Sequence, residues 1–305
     1  QTFMKTNDLI NLSRDIRGDI LFDYSIKKLN WFNIGGKTKI FFKPYDLQDL
    51  IKFLKTYNNR GKIFVLGAGS NILFTDEIFD GVIIKLGKRF NNISKLSENR
   101  VIAGSIVLDK NLSNFAEQNE IGSLEFLSCI PGSVGGGIRM NSGCYNREFK
   151  DILVSVQAID FKGNILSIPS KNIEFKYRSI NLSKNLIFLS GTFEGIKKEK
   201  ELISKEITKL KEKKKKSQPS KVKTGGSTFK NPDKILSMKA WEVIKNSVPE
   251  NIHFGDASIS NEHSNFFVNK NNAKFKDMIK LIEFVKQKVK EKYKISLDLE
   301  IEIIK

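Results

Sequence analysis

The chain has two cysteines, two histidines and six prolines among 305 residues. Cys129 and Cys144 cannot build a disulfide framework, and two histidines offer no metal cluster. A stapled secreted scaffold and a structural zinc domain are both excluded on those grounds. Long apolar runs are missing as well. The longest, IFVLG (63–67) and GVIIKLG (81–87), fall far short of the roughly 20 residues that cross a bilayer. The first residues lack the charged, then apolar, then small-residue order of a secretory signal. The expectation is a soluble, reduced, cytoplasmic protein with no membrane partner and no structural metal.

Acidic residues are also scarce: 34 Asp and Glu stand against 52 Lys and Arg, a formal charge of +18. Such a balance favours phosphate-bearing partners, whether nucleic acid, anionic membrane or a small polyphosphate. Lysine, asparagine and isoleucine are abundant throughout, however, and much of the excess lies in KKEKELISKEITKLKEKKKKSQP (197–219). Leu202, Ile203, Ile207 and Leu210 recur there at near-helical spacing, which makes the lysines a solvated helix face ending before Pro219. No aromatics interleave with them, as a single-strand binder requires. A nucleic-acid-binding protein therefore rests on net charge alone, and no nucleic-acid partner is expected.

Hydrophobic content of 40%, with 23 phenylalanines, marks a folded chain long enough for two or three domains. TKIFFKPY (38–45) alternates as a strand, DLQDLIKFLKTY (46–57) has helical periodicity, and KIFVLG and GVIIKL are buried strands. LDKNLSNFAEQNEIG (108–122) reads as a helix stopped by Gly122. VSVQAIDFKGNILSI (154–168) reads as a hairpin around Lys162-Gly163-Asn164, and NLIFLSGTFEG (185–195) as another strand. Further helices are expected over 197–216, 239–246 and 272–293. The stripe Phe275, Met278, Ile279, Ile282, Val285 and Val289 marks the apolar face of the longest. ISLDLEIEII (295–304) reads as a closing strand. Strands and helices without regular alternation argue for an α+β fold, divided at 20–92, 93–196 and 197–305.

Three loops stand out. VLGAGSNIL (65–73) runs from a strand into a small-residue turn, where Gly67 and Gly69 admit a phosphate to the backbone and Ser70 and Asn71 add donors. Ile72 occupies the third glycine position of the dinucleotide fingerprint, so this is not that motif, and a plain tight turn explains it equally well. PGSVGGGIRMNSG (131–143) carries five glycines, a density that no helix or strand is expected to tolerate. Gly132, Gly135, Gly136 and Gly137 clear one wall of side chains, leaving Ser133, Asn141 and Ser142 to hydrogen-bond. That suits a flat or phosphorylated ligand lying on main chain, with a structural crossover as the alternative. Two such loops favour a dinucleotide. TGGSTFKNP (224–232) sets Ser227 behind two glycines at a loop tip, FKYRS (175–179) sets Arg178 after an aromatic, and the last strand aligns Asp298, Glu300 and Glu302 on one face. No histidine–aspartate pair serves Ser227, so a hydrolase triad is not formed.

In order, WFNIGG (31–36), VLGAGSNIL, LEFLSCIPGSVGGGIRMNSGCY (124–145), YRS, QPSKVKTGGSTFKNP (218–232), ASISNEHSNFFVN (257–269) and LDLEIEI (297–303) resemble the UDP-N-acetylenolpyruvoylglucosamine reductase family, from about residue 25 onward. The resemblance implies a two-subdomain FAD-binding fold of the vanillyl-alcohol-oxidase-like (PCMH) kind with a C-terminal α+β substrate domain. The short interval from Arg178 to Ser227 implies the variant without the tyrosine loop. FAD is expected to be noncovalent, because both histidines lie in the third region, and NADPH is the co-substrate. The cofactor-binding set is then Gly67, Gly69, Ser70, Asn71, Gly132, Ser133, Gly136 and Asn141.

The same resemblance assigns the catalytic set. Arg178 stabilises the substrate carboxylate as charge spreads into it, Glu300 organises or protonates that centre, and Ser227 supplies the completing proton. Lys223 or Lys230 would relay charge to the serine. Lys230 and Asn231 would contact the UDP-sugar, and the enzyme would act as a monomer. Departures from the family pattern fall at Cys129, Arg139, Asp256 and NSGCYN (141–146), none of them a catalytic position. Another FAD oxidoreductase of this scaffold, acting on an alcohol or hydroxy acid, is disfavoured because GGSTFKNP and the terminal glutamate belong to the reductase pattern.

Overall fold

The computed structural model describes residues 6–233 and 237–305. Among these, the chain forms seven α-helices: α1 (Thr6–Arg14), α2 (Leu47–Tyr57), α3 (Asp109–Gln118), α4 (Val134–Arg139), α5 (Lys200–Ser217), α6 (Ala240–Ser247) and α7 (Phe275–Tyr293). The chain divides into two compact units. The first takes residues through Asp23, then Lys39–Ala68 and Asp80–Lys213; the second takes Tyr24–Thr38, Gly69–Phe79 and Lys214–Lys305.

The first unit holds most of a four-stranded sheet in the order Asp19–Ser25, Lys37–Lys43, Phe79–Ile84, Lys62–Val65. The last two pair in parallel, Val65 opposite Ile84. Asp46 opens α2 by accepting the Asp49 N–H at 3.0 Å, and the helix buries Leu50, Phe53, Leu54 and Tyr57. Phe42 and Phe53 stack there at 4.1 Å. A five-stranded antiparallel sheet follows, in the order Ile165–Pro169, Leu153–Asp160, Leu186–Glu194, Arg100–Gly104, Ile93–Lys95. The hairpin turns at Gly163 (φ +89°), where Asp160 accepts the N–H groups of Lys162 and Asn164, both at 2.9 Å. A side chain that closes its own turn in this way fixes the register.

The second unit has a four-stranded sheet, Thr224–Ser227, Phe266–Asn269, Ala257–Ile259 and His253–Phe254, in that order. Of the expected α7 stripe, Met278, Ile282, Val285 and Val289 are buried beside Phe229, Val243 and Phe267, and Phe275 and Ile279 are partly buried, while Leu281, outside the stripe, is buried with them. An α+β architecture of strands and helices without regular alternation is what the pattern called for.

Four local expectations are corrected. α3 ends at Gln118, where the Asn119 side chain turns back to the Phe115 carbonyl at 2.8 Å. Gly122 instead lies in a two-residue strand paired with Ile196–Lys197. In α5 only Ile203 and Ile207 are buried, while Leu202 is exposed, so the apolar stripe is narrower than its spacing implies. The closing strand is confined to Glu302–Ile304, parallel to Ile72–Phe74. Finally, the glycine-rich stretch does form a helix, the six-residue α4. Tertiary fit overrides propensity there: a Cβ on Gly137 would lie 2.5 Å from Phe149 Cε2 and 2.9 Å from Cε1.

Candidate functional site

In the first unit the Lys62–Val65 strand ends with Leu66 N–H on Ile84 O at 2.8 Å, and Gly67 follows. The Gly67 carbonyl accepts from Lys85 Nζ at 2.8 Å. Burial, and then the neighbouring Lys43, hold the Lys85 ammonium below its usual pKa. The second glycine-rich segment approaches the same place. Its backbone runs antiparallel to residues 105–109: Gly135 N–H meets Ser105 O, Val134 N–H meets Val107 O (both 2.8 Å), and Asp109 N–H meets Gly132 O at 3.0 Å.

The glycines of α4 divide by role. Gly137 is filled by the Phe149 ring, and a Cβ on Gly135 would lie 3.1 Å from Ser105 Cβ. Gly136 is open: its Cβ would meet only Ser133 Oγ, at 3.7 Å. A Cβ on Gly67 would reach that same Ser133 Oγ at 2.9 Å. Gly67, Ser133 and Gly136 therefore converge, and side chains at the two glycines would fill the space between the loops. Beneath this cradle the Ser105 hydroxyl and both Asp109 carboxyl oxygens are buried without hydrogen-bond partners. Burial pushes the Asp109 carboxyl well above its ordinary pKa. A bare main-chain cradle with an orphaned hydroxyl behind it fits a flavin dinucleotide.

Asn141 is fully buried in a left-handed conformation (φ +43°). Its amide donates to Lys176 O at 3.1 Å and accepts Lys150 N–H at 3.0 Å. The side chain thus braces the glycine-rich segment against the hairpin of Phe175–Lys176 and Ser179–Ile180, leaving main chain to face a ligand. Arg178 sits in the turn of that hairpin (φ +57°). Its guanidinium lies 4.7 Å from the Tyr177 ring centroid, donates to Gly143 O at 3.2 Å and stands 3.9 Å from Glu148 Oε1.

The other predicted residues lie in the second unit. Gly69 takes φ +71°, and a Cβ there would be 2.8 Å from Asn30 Cα; its carbonyl accepts Trp31 N–H at 2.9 Å. Ser70 follows in the turn, and Asn71 joins it to the chain end. The Asn71 amide donates to Glu300 O at 3.0 Å, and its carbonyl accepts Glu302 N–H at 2.9 Å. Ser227 pairs with Phe266 after a bulge that absorbs Gly225 and Gly226. Phe32 fills the space beside Gly225, whereas Gly226 (φ +75°) has nothing within 4 Å of its Cβ position. The next residues pair with the chain end: Glu300 N–H reaches Thr228 O and Lys230 N–H reaches Asp298 O, both at 2.8 Å. Ser227, Lys230, Glu300 and Asn71 are thereby gathered on one backbone scaffold.

Asn231 accepts Ala240 N–H at 3.0 Å, at the head of α6, and Lys223 Nζ is turned to Asn271 O at 3.3 Å. Arg178 belongs to the first unit, and Ser227 and Glu300 to the second. Lys85 had no motif signal of its own, its partner Gly67 being 18 residues away. Asn265 lies inside the quoted ASISNEHSNFFVN segment, but its pairing with Phe229, 36 residues away, is not visible there. Among the described residues no cluster of His, Cys, Asp and Glu could hold a metal ion, and no helix is long and apolar enough to cross a membrane.

Residues 218–304 match the C-terminal domain model of UDP-N-acetylenolpyruvoylglucosamine reductase, and residues 38–168 match an FAD-binding domain model. The reductase of Pelagibacter ubique is 58% identical over 302 residues, covering 99% of this chain and 100% of that one. The chain belongs to the UDP-N-acetylenolpyruvoylglucosamine reductase family. The reductase of Rickettsia typhi is 44% identical over 95% of the chain and 97% of its own length. The crystal structure of the reductase from Thermus caldophilus superposes with a TM-score of 0.80 at 26% identity, covering 95% of this chain and all of that one. The FAD-binding fold with its C-terminal reductase domain is thus the one expected from the quoted segments.

Proposed function

We propose that the protein reduces the enolpyruvyl ether of UDP-N-acetylglucosamine to UDP-N-acetylmuramate with NADPH, in the synthesis of peptidoglycan precursors. Family membership over the whole chain supports the reaction. The observation that carries the residue assignment is the pairing of Thr228–Lys230 with Asp298–Glu300, which brings a hydroxyl, a carboxylate and an ammonium residue onto adjoining backbone. FAD, held by the glycine-rich main chain around Gly67, Ser133 and Gly136, would supply the hydride chemistry that links NADPH to the enolpyruvyl ether.

Everything else is work for the chain. Gly67, Gly132, Ser133 and Gly136 offer main chain to the cofactor and Asn141 holds the glycine-rich segment; Gly69, Ser70 and Asn71 complete the expected cofactor set. Arg178, always cationic, neutralises the substrate carboxylate as negative charge enters it. The Ser227 hydroxyl protonates the carbon next to that carboxylate, completing a lactyl ether. A hydroxyl is a weak acid, but an enolate carbon is basic enough to take its proton. Glu300 orients the same centre, and Lys230 and Asn231 bind the UDP-sugar. In this reading 20–92 and 93–196 are the flavin-binding subdomains, 197–305 is the substrate domain, and the enzyme works as a cytoplasmic monomer.

The test is product analysis. NADPH oxidation should depend on the enolpyruvyl sugar and yield one equivalent of a product heavier by two hydrogens, one from NADPH and one from solvent. NADPH oxidation that ignores the sugar but responds to an alcohol's ketone or aldehyde would favour the other flavin oxidoreductase.

A further inference from the structure

The strand Phe266–Asn269 stops pairing with Thr224–Ser227 at the Ser227–Phe266 position. The segment beyond, Thr228–Lys230, still needs partners on that edge, because Thr228 and Phe229 are both fully buried and unpaired backbone there is costly. Asn265 supplies them for Thr228 N–H and for both polar groups of Phe229. Its carbonyl accepts Thr228 N–H at 2.8 Å, its side-chain oxygen accepts Phe229 N–H at 3.0 Å, and its side-chain nitrogen donates to Phe229 O at 2.9 Å. The carboxamide has the donor–acceptor layout of a peptide unit and continues the ladder by one residue. Asn265 is itself 4% exposed, and its N–H is held by His263 Nδ1 at 3.2 Å. The opposite edge of the same segment carries the bonds to Glu300 and Asp298.

We propose that Asn265 is a positioning residue for the reaction: its buried carboxamide fixes the Thr228–Lys230 backbone, and so sets the Ser227 hydroxyl and Lys230 against Glu300. The claim rests on Ser227 being the proton donor. Without the carboxamide, the N–H and C=O of Phe229 are buried and orphaned, and the segment can relieve that only by moving. Proton transfer to carbon needs close approach, and a displacement of about 1 Å costs on the order of 100-fold. Flavin binding and reduction by NADPH do not require the Ser227 hydroxyl, so they are spared.

The experiment follows the two half-reactions in rapid mixing with FAD-loaded Asn265→Ala, Asn265→Asp and Ser227→Ala. Both Asn265 variants should bind FAD and be reduced by NADPH within about threefold of the parent, while reoxidation by the enolpyruvyl sugar slows roughly 10- to 100-fold. Asn265→Asp keeps the volume and the acceptor for Phe229 N–H, and sets an anion against the Phe229 carbonyl. It gives the same reading if the alanine variant does not hold FAD. Equal losses in both half-reactions, or reoxidation at the parent rate, overturn the positioning role. If Ser227→Ala slows reoxidation and Asn265→Ala does not, the positioning role alone fails. If Ser227→Ala reoxidises normally, the proton-donor reading fails and takes this role with it.

Discussion

Adjacent glycines in α4 should respond in opposite ways to the same substitution. Glycine to alanine inside a helix normally stabilises by roughly 0.5–1 kcal/mol, by restricting the unfolded chain. At Gly137 the new methyl would enter the Phe149 ring, 2.5 Å from Cε2 and 2.9 Å from Cε1. Phe149 cannot retreat, since Phe193 at 5.8 Å and Phe126 at 6.5 Å pack edge-on against it. Overpacking of this kind costs about 1–3 kcal/mol or more, which outweighs the propensity gain. Gly137→Ala should therefore destabilise the FAD-free protein by about 1–2 kcal/mol net. At Gly136 the methyl would meet Ser133 Oγ at an ordinary 3.7 Å, so the propensity gain survives. The FAD-free Gly136→Ala protein should be as stable as the parent or more so. That same methyl projects into the cradle, and FAD affinity should fall about tenfold, roughly 1.4 kcal/mol. Urea denaturation of the stripped proteins, with fluorescence titration of FAD, measures both quantities. Gly136→Ala that unfolds as early as Gly137→Ala, or that binds FAD like the parent, would refute the division of these glycines into packing and ligand-facing positions.

Further outcomes can be stated more briefly. Ser227→Ala should retain FAD and its reduction by NADPH while losing most sugar-dependent reoxidation in rapid mixing; equal loss of both would contradict the proton-donor role. Arg178→Lys keeps a charge but loses the planar fork that reaches Gly143 O, so kcat should fall by an order of magnitude or so with little change in FAD affinity. The Tyr57 hydroxyl is buried without a partner and its pKa is raised to about 12, chiefly by desolvation; Tyr57→Phe should leave the thermal midpoint unchanged or higher. Asp109 has a folded-state pKa above its unfolded value, so its contribution to stability is fully present below about pH 4 and is lost as pH rises through the folded pKa. Asp109→Asn removes that loss, and its stability relative to the parent in urea should improve as pH rises above about 4; a constant difference would contradict a raised folded-state pKa.

Much of this fold is written in short-range pattern. The α7 stripe, the Lys162–Asn164 hairpin and the strand leading to Gly67 all follow from periodicity and turn chemistry. Glycine density marks the two loops but not that Gly67 and Gly136 both face Ser133 Oγ, which only the fold reveals. Other features depend on partners distant in sequence. Within α4, Gly137 is required because Phe149 occupies the place a side chain would take, which no glycine count reveals. Alternation in 295–304 anticipates the burial of Leu297 and Ile301, but not that Ile304 replaces Ile303 in the core, nor that residues 298–300 pair with 228–230 while 302–304 pair with 72–74. Asn265 is one more polar residue in SNEHSN until its amide is seen against Phe229.

The central claim is that this chain carries electrons from NADPH to an enolpyruvyl UDP-sugar through a flavin. Anaerobic absorption spectroscopy of the purified protein tests it most directly. The account predicts an oxidised flavin spectrum that bleaches with one equivalent of NADPH and returns on adding one equivalent of the UDP-N-acetylglucosamine enolpyruvyl ether. A flavin that stays reduced after the sugar is added, or a folded protein that takes up no FAD, would contradict it.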